Sequence, residues 1–411
     1  MADIVRALGH RNYRLYFSGQ LLSLAGTAMQ QIALSWLVFS LTGSTAMLGL
    51  ITFVGQIPSL VLAPFAGVLS DRFPRRSLLL WTQLLSTVHA AILAGLTFTG
   101  QINTPILLTM ALALGLINSV DQPVRQSFVA ELVDDRADIP NAVALSSFTI
   151  HAARFIGPSI GGFLIAGVGE ASCFALNALS FLGAIFALAA MSGLHAAPAR
   201  KRTPGALREG FQYVITHREI RLLLAIVATV SFFGSSYGAL LPYFAKEIYH
   251  GDARSYGLLA TAGGVGACLG TVFLASRRSA QAISRTVLKA MVLVSLALAA
   301  FALSHVFWVS MVALAVMGFA SINAVAASSA VIQNTVHDGV RGRVMAIYTM
   351  AFFGVSPLGS LATGYLARVF GASRTLLVSA AVILCFAAVA QWVRRGQVSA
   401  VPTEVQPEAA I

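Results

Sequence analysis

Long apolar stretches alternate with short polar connections along this chain, and the stretches outrun anything a soluble core requires. Runs of about 20 residues rich in Leu, Ala, Val, Phe and Gly recur twelve times, at about 14–40, 47–69, 77–98, 104–124, 140–166, 171–192, 221–245, 254–275, 286–304, 306–332, 343–367 and 373–393. A helix of that length crosses roughly 30 Å of hydrocarbon. The pattern predicts an all-α membrane protein with twelve transmembrane helices.

Composition strengthens the reading. The 411 residues are 57% hydrophobic and only 10% charged, with a mean hydropathy of +0.80, whereas soluble domains carry about 25% charged residues. The opening MADIVRALGHRNYRLYF lacks the apolar stretch and cleavage site of a secretory signal, so the first span is expected to insert uncleaved. Cys173, Cys268 and Cys385 are isolated, which predicts neither a disulfide framework nor a metal site, and no cofactor is implied.

A net charge of +12 raises the question of nucleic acid, but the cations follow the membrane topology instead. Of the 27 Lys and Arg, 22 fall in connections on one side of the spans, four (Lys246, Arg254, Arg368, Arg374) on the other, and Arg154 within a span. The positive-inside bias predicts a multi-pass membrane protein with both termini cytoplasmic and no nucleic-acid partner.

Residues 195–219 form the longest polar stretch and divide the spans six and six. The expected organisation is an N-terminal half over 1–194, a cytoplasmic linker over 195–219, a C-terminal half over 220–395 and a disordered tail over 396–411. The halves repeat: HRNYRL at 10–15 returns as HREIRL at 217–222, Asn118 and Arg136 match Asn323 and Arg341, and Pro158 matches Pro357. Two pseudo-symmetric six-helix halves enclose a midplane cavity that rocking can expose to either side, an architecture suited to transport.

Two motifs carry a resemblance. GVLSDRFPRR at 67–76 lies between spans 2 and 3, and RFIGPSIGG at 154–162 lies in span 5. The first resembles the signature loop of the major facilitator superfamily, with Gly67, Leu69, Asp71, Arg72, Arg75 and Arg76 matching and Pro74 in place of the usual Gly. The second resembles the Gly-Pro-x-x-Gly-Gly element of its antiporters and exporters through Gly157, Pro158, Gly161 and Gly162, with Ala153 where a preceding glycine is usual. HRNYRLYFSGQLLSLAG, SDRFPRR and NAVAL make the chain similar to the drug exporter branch that contains enterobactin exporters and macrolide efflux proteins. That resemblance implies a cytoplasmic gate latched by Asp71 against a second-half helix, with Arg75 near Asp121.

Arg154 stands near the middle of its predicted helix, where a lone arginine costs from about 2.5 to above 10 kcal/mol, so it is expected to face a cavity or a partner. His151, Gln31, Gln56, Tyr237, Asn323 and Tyr348 are the other candidates for a substrate cavity, and His151 and His89 those for proton coupling. The expected function is export of small amphipathic or anionic molecules, drug-like or siderophore-like, by a monomer in the lipid bilayer, driven by membrane potential, protons or both. A lipid mover, an importer and a non-transporting sensor are the alternatives. An enzyme is not expected: GPSIG at 157–161 fits a Gly-x-Ser-x-Gly pattern, but the strand-turn-helix which that chemistry needs is missing around Ser159.

Overall fold

The computed structural model describes residues 6–193, 206–277 and 280–398. Among the described residues it contains helices and no strand, and twelve of the helices are long and apolar enough to span a membrane. Spans 1 to 6 run over Arg11–Thr42, Thr45–Arg72, Arg75–Phe98, Thr104–Phe128, Ile139–Val168 and Glu170–Ala189. Spans 7 and 11 run over Arg218–Ile248 and Gly339–Phe370. Spans 8, 9, 10 and 12 run over Ala253–Ala275, Ala280–Leu303, Phe307–Thr335 and Ala372–Val398. One face therefore carries the start of span 1, the linker and the end of span 12, and is called the linker face. Its opposite is the far face.

Local chemistry sets the tight far-face turns. Gly43, Gly169 and Gly371 adopt φ of 59°, 86° and 89° directly after spans 1, 5 and 11, a conformation that glycine reaches without steric penalty. Ser44 then caps span 2 by accepting a hydrogen bond from the Met47 amide, and Asp252 caps span 8 through the Arg254 and Ser255 amides. The six-and-six repeat is visible at the helix starts, for His10 and His217 both stand as extended residues directly before spans 1 and 7.

Within the first half, span 1 packs on spans 5 and 6, span 2 on span 4, and span 3 on spans 4 and 6; within the second, span 10 packs on spans 8 and 9, and span 9 on span 12. The halves meet where span 5 lies on span 8 and span 2 on span 11. One large apolar cluster runs through both halves, and a smaller one around Tyr13, Leu79 and Phe128 fills the first half near the linker face. Trp81, Phe186, Trp308 and Trp392 are exposed, as lipid-facing side chains are.

Three features depart from the sequence reading. Spans 7 and 11 are interrupted by matching π-helical turns at Val230–Gly234 and Met350–Gly354, and span 7 ends in a further one at Phe244–Ile248. The linker carries a helix the sequence reading did not assign, Ala206–Thr216, tied to span 11 by Glu209 and Arg343 at 2.5 Å, with Val214 buried in the main core. The last helix passes the expected boundary at 396 and continues to Val398, while 399–411 fall outside the described residues.

Candidate functional site

Span 5 is one unbroken helix of 30 residues despite Pro158, and Arg154 is at its centre. Ala144, Ser147, His151 and Arg154 share a stripe of that helix leading from the linker face to the midplane. Ala144, Ser147 and Arg154 are exposed and His151 is half-buried. An imidazole and a guanidinium are costly against hydrocarbon, and Tyr237 of the second half lies beside Arg154, so this stripe faces the cleft between the halves. No carboxylate among the described residues pairs with Arg154; its electrostatic neighbours are His151 on the same helix and Tyr237 of span 7. His151 Nδ1 is buried without a hydrogen-bond partner.

Two glycines of span 8 bring Arg154 and Tyr237 together. A Cβ built on Gly264 would stand 2.9 Å from the Arg154 carbonyl oxygen, and one on Gly263 would stand 3.2 Å from the Tyr237 hydroxyl. Gly266 and Gly270 of the same GGVGACLG segment seat span 8 on Ala315 and Phe319 of span 10. The segment is a packing surface on two sides.

Beyond the midplane the cleft is shut by two matching crossings. Gly162 and Gly257 approach so closely that a Cβ on either would lie within 2.9 Å of the other's Cα and within 2.7 Å of the carbonyl oxygen of Ala253 or Pro158. Gly49 and Gly364 repeat this against Ser360 and Thr45, with 3.0 Å or less to the opposing Cα. Only glycine permits such backbone contact, which adds Cα–H···O attraction to close packing. Trp36 stacked on Tyr256 at 6.1 Å and Phe39 edge-on to Tyr243 at 6.0 Å complete the seal. These crossings join the halves at the far face, and among the described residues no glycine crossing joins them at the linker face.

Gly157 and Gly161 of the antiporter-like motif pack on Ala25, Ala28 and Met29 of span 1, whereas Gly162 faces span 8. The motif therefore belongs to both the inner packing of the first half and the seal. Its Gly49–Gly364 counterpart was not singled out in the sequence, because those glycines are flanked by no repeated motif.

The remaining candidates divide. Gln31 is exposed and Gln56 half-buried, while neighbouring Gln30 is buried and accepts a hydrogen bond from Asn177 at 2.8 Å. Tyr348 is buried and donates to the Val325 carbonyl at 2.9 Å, which makes it a tie between spans 10 and 11. Asn323 donates to the carbonyls of Gly270 and Phe319 at 3.2 and 2.8 Å, in the seam of spans 8 and 10 and away from Arg154. His89 holds Met110 O at 2.9 Å between spans 3 and 4. Neither Asn323, Tyr348 nor His89 joins the Arg154 cluster.

The gate residues need one correction. Arg75 pairs with Glu131, not with Asp121. Asp121 instead receives Arg125, one turn along the same helix, together with Thr82 at 2.7 Å and Gln83 at 3.0 Å. A partner on the same helix needs no second element to be ordered, and Glu131 follows span 4 at the level of the span 3 start. Arg76 caps span 6 by donating to Leu188 O and Ala189 O at 2.9 and 2.8 Å, and Arg72 is exposed. Gly67 and Asp71 lie in the last turns of span 2, and their side chains are outside the described residues.

The Phe-Phe-Gly π-turns of spans 7 and 11 were also missed. A π-turn shifts the hydrogen-bond register and leaves carbonyls to be satisfied by other donors. Ser231 donates to Phe352 O across the two turns and Ser236 to Phe232 O. The signal was present in the repeated FFG of 232–234 and 352–354, but no hydropathy pattern distinguishes such a turn from α-helix.

Comparison with known proteins agrees with this architecture. A family profile described as transmembrane secretion effector matches residues 5–408. The staphyloferrin A transporter of Staphylococcus aureus is 26% identical over 384 residues, covering 93% of this chain and 96% of its own. The multidrug efflux pump Tap of Mycobacterium tuberculosis is 27% identical over 384 residues, 90% of each chain. Among solved structures, a bacterial homologue of the human lysosomal transporter Spinster, in an inward-facing and occupied conformation, superposes with a TM-score of 0.73 at 13% identity over 96% of this chain and 99% of its own.

Proposed function

We propose, from the premise that this chain belongs to the transmembrane secretion effector family of the major facilitator superfamily, that it exports small amphipathic or anionic molecules by alternating access. It is a multi-pass membrane transporter and not an enzyme. The observation that carries the anionic reading is Arg154, a guanidinium at mid-membrane, exposed to the cleft and without a carboxylate partner among the described residues. Such a charge is tolerable in water and becomes useful when an anion neutralises it.

With the linker face cytoplasmic, as the distribution of arginines and lysines favours, the cleft open to that face loads substrate from the cell interior. An anion paired with Arg154 and flanked by Tyr237 would leave once the far-face glycine crossings part and the linker-face ends close. Moving one negative charge out against a negative-inside potential gains about 2.3 kcal/mol per 100 mV, which sustains roughly a 40-fold gradient. The potential thus suffices for an anion, while a neutral substrate needs inward proton movement. His151 is the residue for that proton, because it lies on the cleft stripe with a free ring nitrogen. His89 also has an unpartnered Nδ1, but its Nε2 is held to Met110 O between spans 3 and 4, away from the Arg154 stripe.

Relatives named for staphyloferrin A transport and multidrug efflux support drug-like or siderophore-like cargo. Everted membrane vesicles decide the matter. Accumulation of an anionic substrate in response to an imposed potential is expected, with Arg154→Gln lowering it at least about tenfold while a neutral substrate is affected much less. Equal losses for both would remove the anion reading, substrate loss from the vesicles would indicate import, and silence across a broad panel would favour a sensor.

A further inference from the structure

On the linker face, away from the seam between the halves, a pocket of about 330 Å³ opens between spans 8, 9 and 10. Arg277, just past the end of span 8, and Lys289, three turns into span 9, stand at its rim. Both are exposed, and among the described residues neither is paired with a carboxylate. Arg277 lies over the Phe273 ring at 4.5 Å, which fixes its position. Asn323 lines the wall and is 1% exposed. Its amide nitrogen must be the atom facing Gly270 O and Phe319 O, because both are acceptors. Oδ1 is thereby left buried with no donor.

An apolar furrow continues below the pocket. Leu269 and Val265, one and two turns beneath Phe273, are 60% and 41% exposed, and Leu296, two turns beneath Lys289, is 54% exposed. Span 9 packs on spans 10 and 12, so this furrow faces lipid and not the substrate cleft. Two cations at the membrane boundary, a buried acceptor beside them and an open apolar channel underneath match one ligand in shape and polarity. We infer that this pocket binds the headgroup of an anionic phospholipid, its phosphate against Arg277 and Lys289, a headgroup hydroxyl donating to Asn323 Oδ1, and its acyl chains along Leu269 and Leu296. The aspartate-bearing loop of the first half has no acid counterpart here, since ASRRSAQ at 275–281 contains only basic charges. The lipid phosphate supplies the missing negative charge.

Native mass spectrometry of the full-length, delipidated protein tests this with phosphatidylglycerol, phosphatidylcholine and inorganic phosphate as probes. The unmodified protein should bind one phosphatidylglycerol in clear preference to phosphatidylcholine, and millimolar phosphate should not displace it. Arg277→Gln combined with Lys289→Gln should weaken phosphatidylglycerol roughly 30-fold, Arg277→Lys should retain most of the binding, and Arg254→Gln on the far face should change it less than twofold. Equal binding of the two lipids by the unmodified protein would overturn the inference whether or not the double variant folds. An unaltered double variant, or an equal loss in Arg254→Gln, would overturn it too. Displacement by inorganic phosphate would reassign the pocket to a soluble phosphate compound.

Discussion

Charge inside a membrane protein is tolerated only where an opposite charge, hydrogen bonds or water compensate it, and the residues here differ in which of these they have. Asp121 is 2% exposed and satisfied by Arg125, Thr82 and Gln83, and Gln83 passes the network on to Ser23 of span 1. Asp121→Ala would strand Arg125 and two buried donors, so a loss of about 3–5 kcal/mol is expected, read as a lower melting temperature in detergent with the native fold otherwise retained. Outside the membrane, His10 bridges the start of span 1 to Asp134 and Asp138 at 3.2 and 3.0 Å. The hydrogen bond to Asp138 raises its pKa above 6.5 in spite of partial desolvation, with Asp134 adding to the rise. A raised folded-state pKa stabilises the protein fully below the ordinary histidine value and ceases to do so as pH climbs through the folded value. The melting temperature of the native protein should therefore exceed that of His10→Gln at about pH 5 and converge with it by about pH 8. A difference independent of pH would show that the contact works through packing alone.

Among the elements, the helix pairs 5–8 and 2–11 hold the state of the molecule. At Gly364 an added methyl would meet Thr45 O at 2.7 Å and Gly49 Cα at 2.8 Å, which are backbone atoms that cannot rotate aside. Gly364→Ala should therefore part the far-face crossing and shift the protein toward its far-open state. A cysteine at Trp36 should then label from the far side several-fold faster than in the parent, and unchanged labelling would mean that the crossing does not hold the seal. The π-turns of spans 7 and 11 belong to the same scale. Their Phe-Phe-Gly segments face each other across the Ser231–Phe352 hydrogen bond, where two helices that must move relative to their neighbours lack a continuous α-helical register.

For the molecule as a whole, the two crossings are copies. An offset of 208 carries Gly49 onto Gly257 and one of 202 carries Gly162 onto Gly364, so one duplicated contact closes the far face from both sides of the pseudo-axis. A reversible crosslink between cysteines replacing Trp36 and Tyr256, whose rings stack at 6.1 Å, should arrest transport, and reduction should restore it. Full transport in the crosslinked protein would contradict rocking of the halves.

Span number, the division into halves and the helical character followed from hydropathy, because lipid exposure forces whole helices to be apolar and leaves polar residues to the connections. Arg154 was legible as a costly charge for the same reason. Which partner each polar group took was not. Arg75 took Glu131, Asp121 took Arg125, and Asn323 and Tyr348 turned into seams between spans, since a sequence position fixes depth along a helix but not the neighbour that helix meets. The Gly49–Gly364 crossing has no local signature at all, for it exists only where two distant spans touch. The chain by itself thus determined what must lie in the membrane and how deep each polar group sits. Helix rotation and packing alone decided which polar groups pair with each other, which are left without a partner, and at which face the halves are joined.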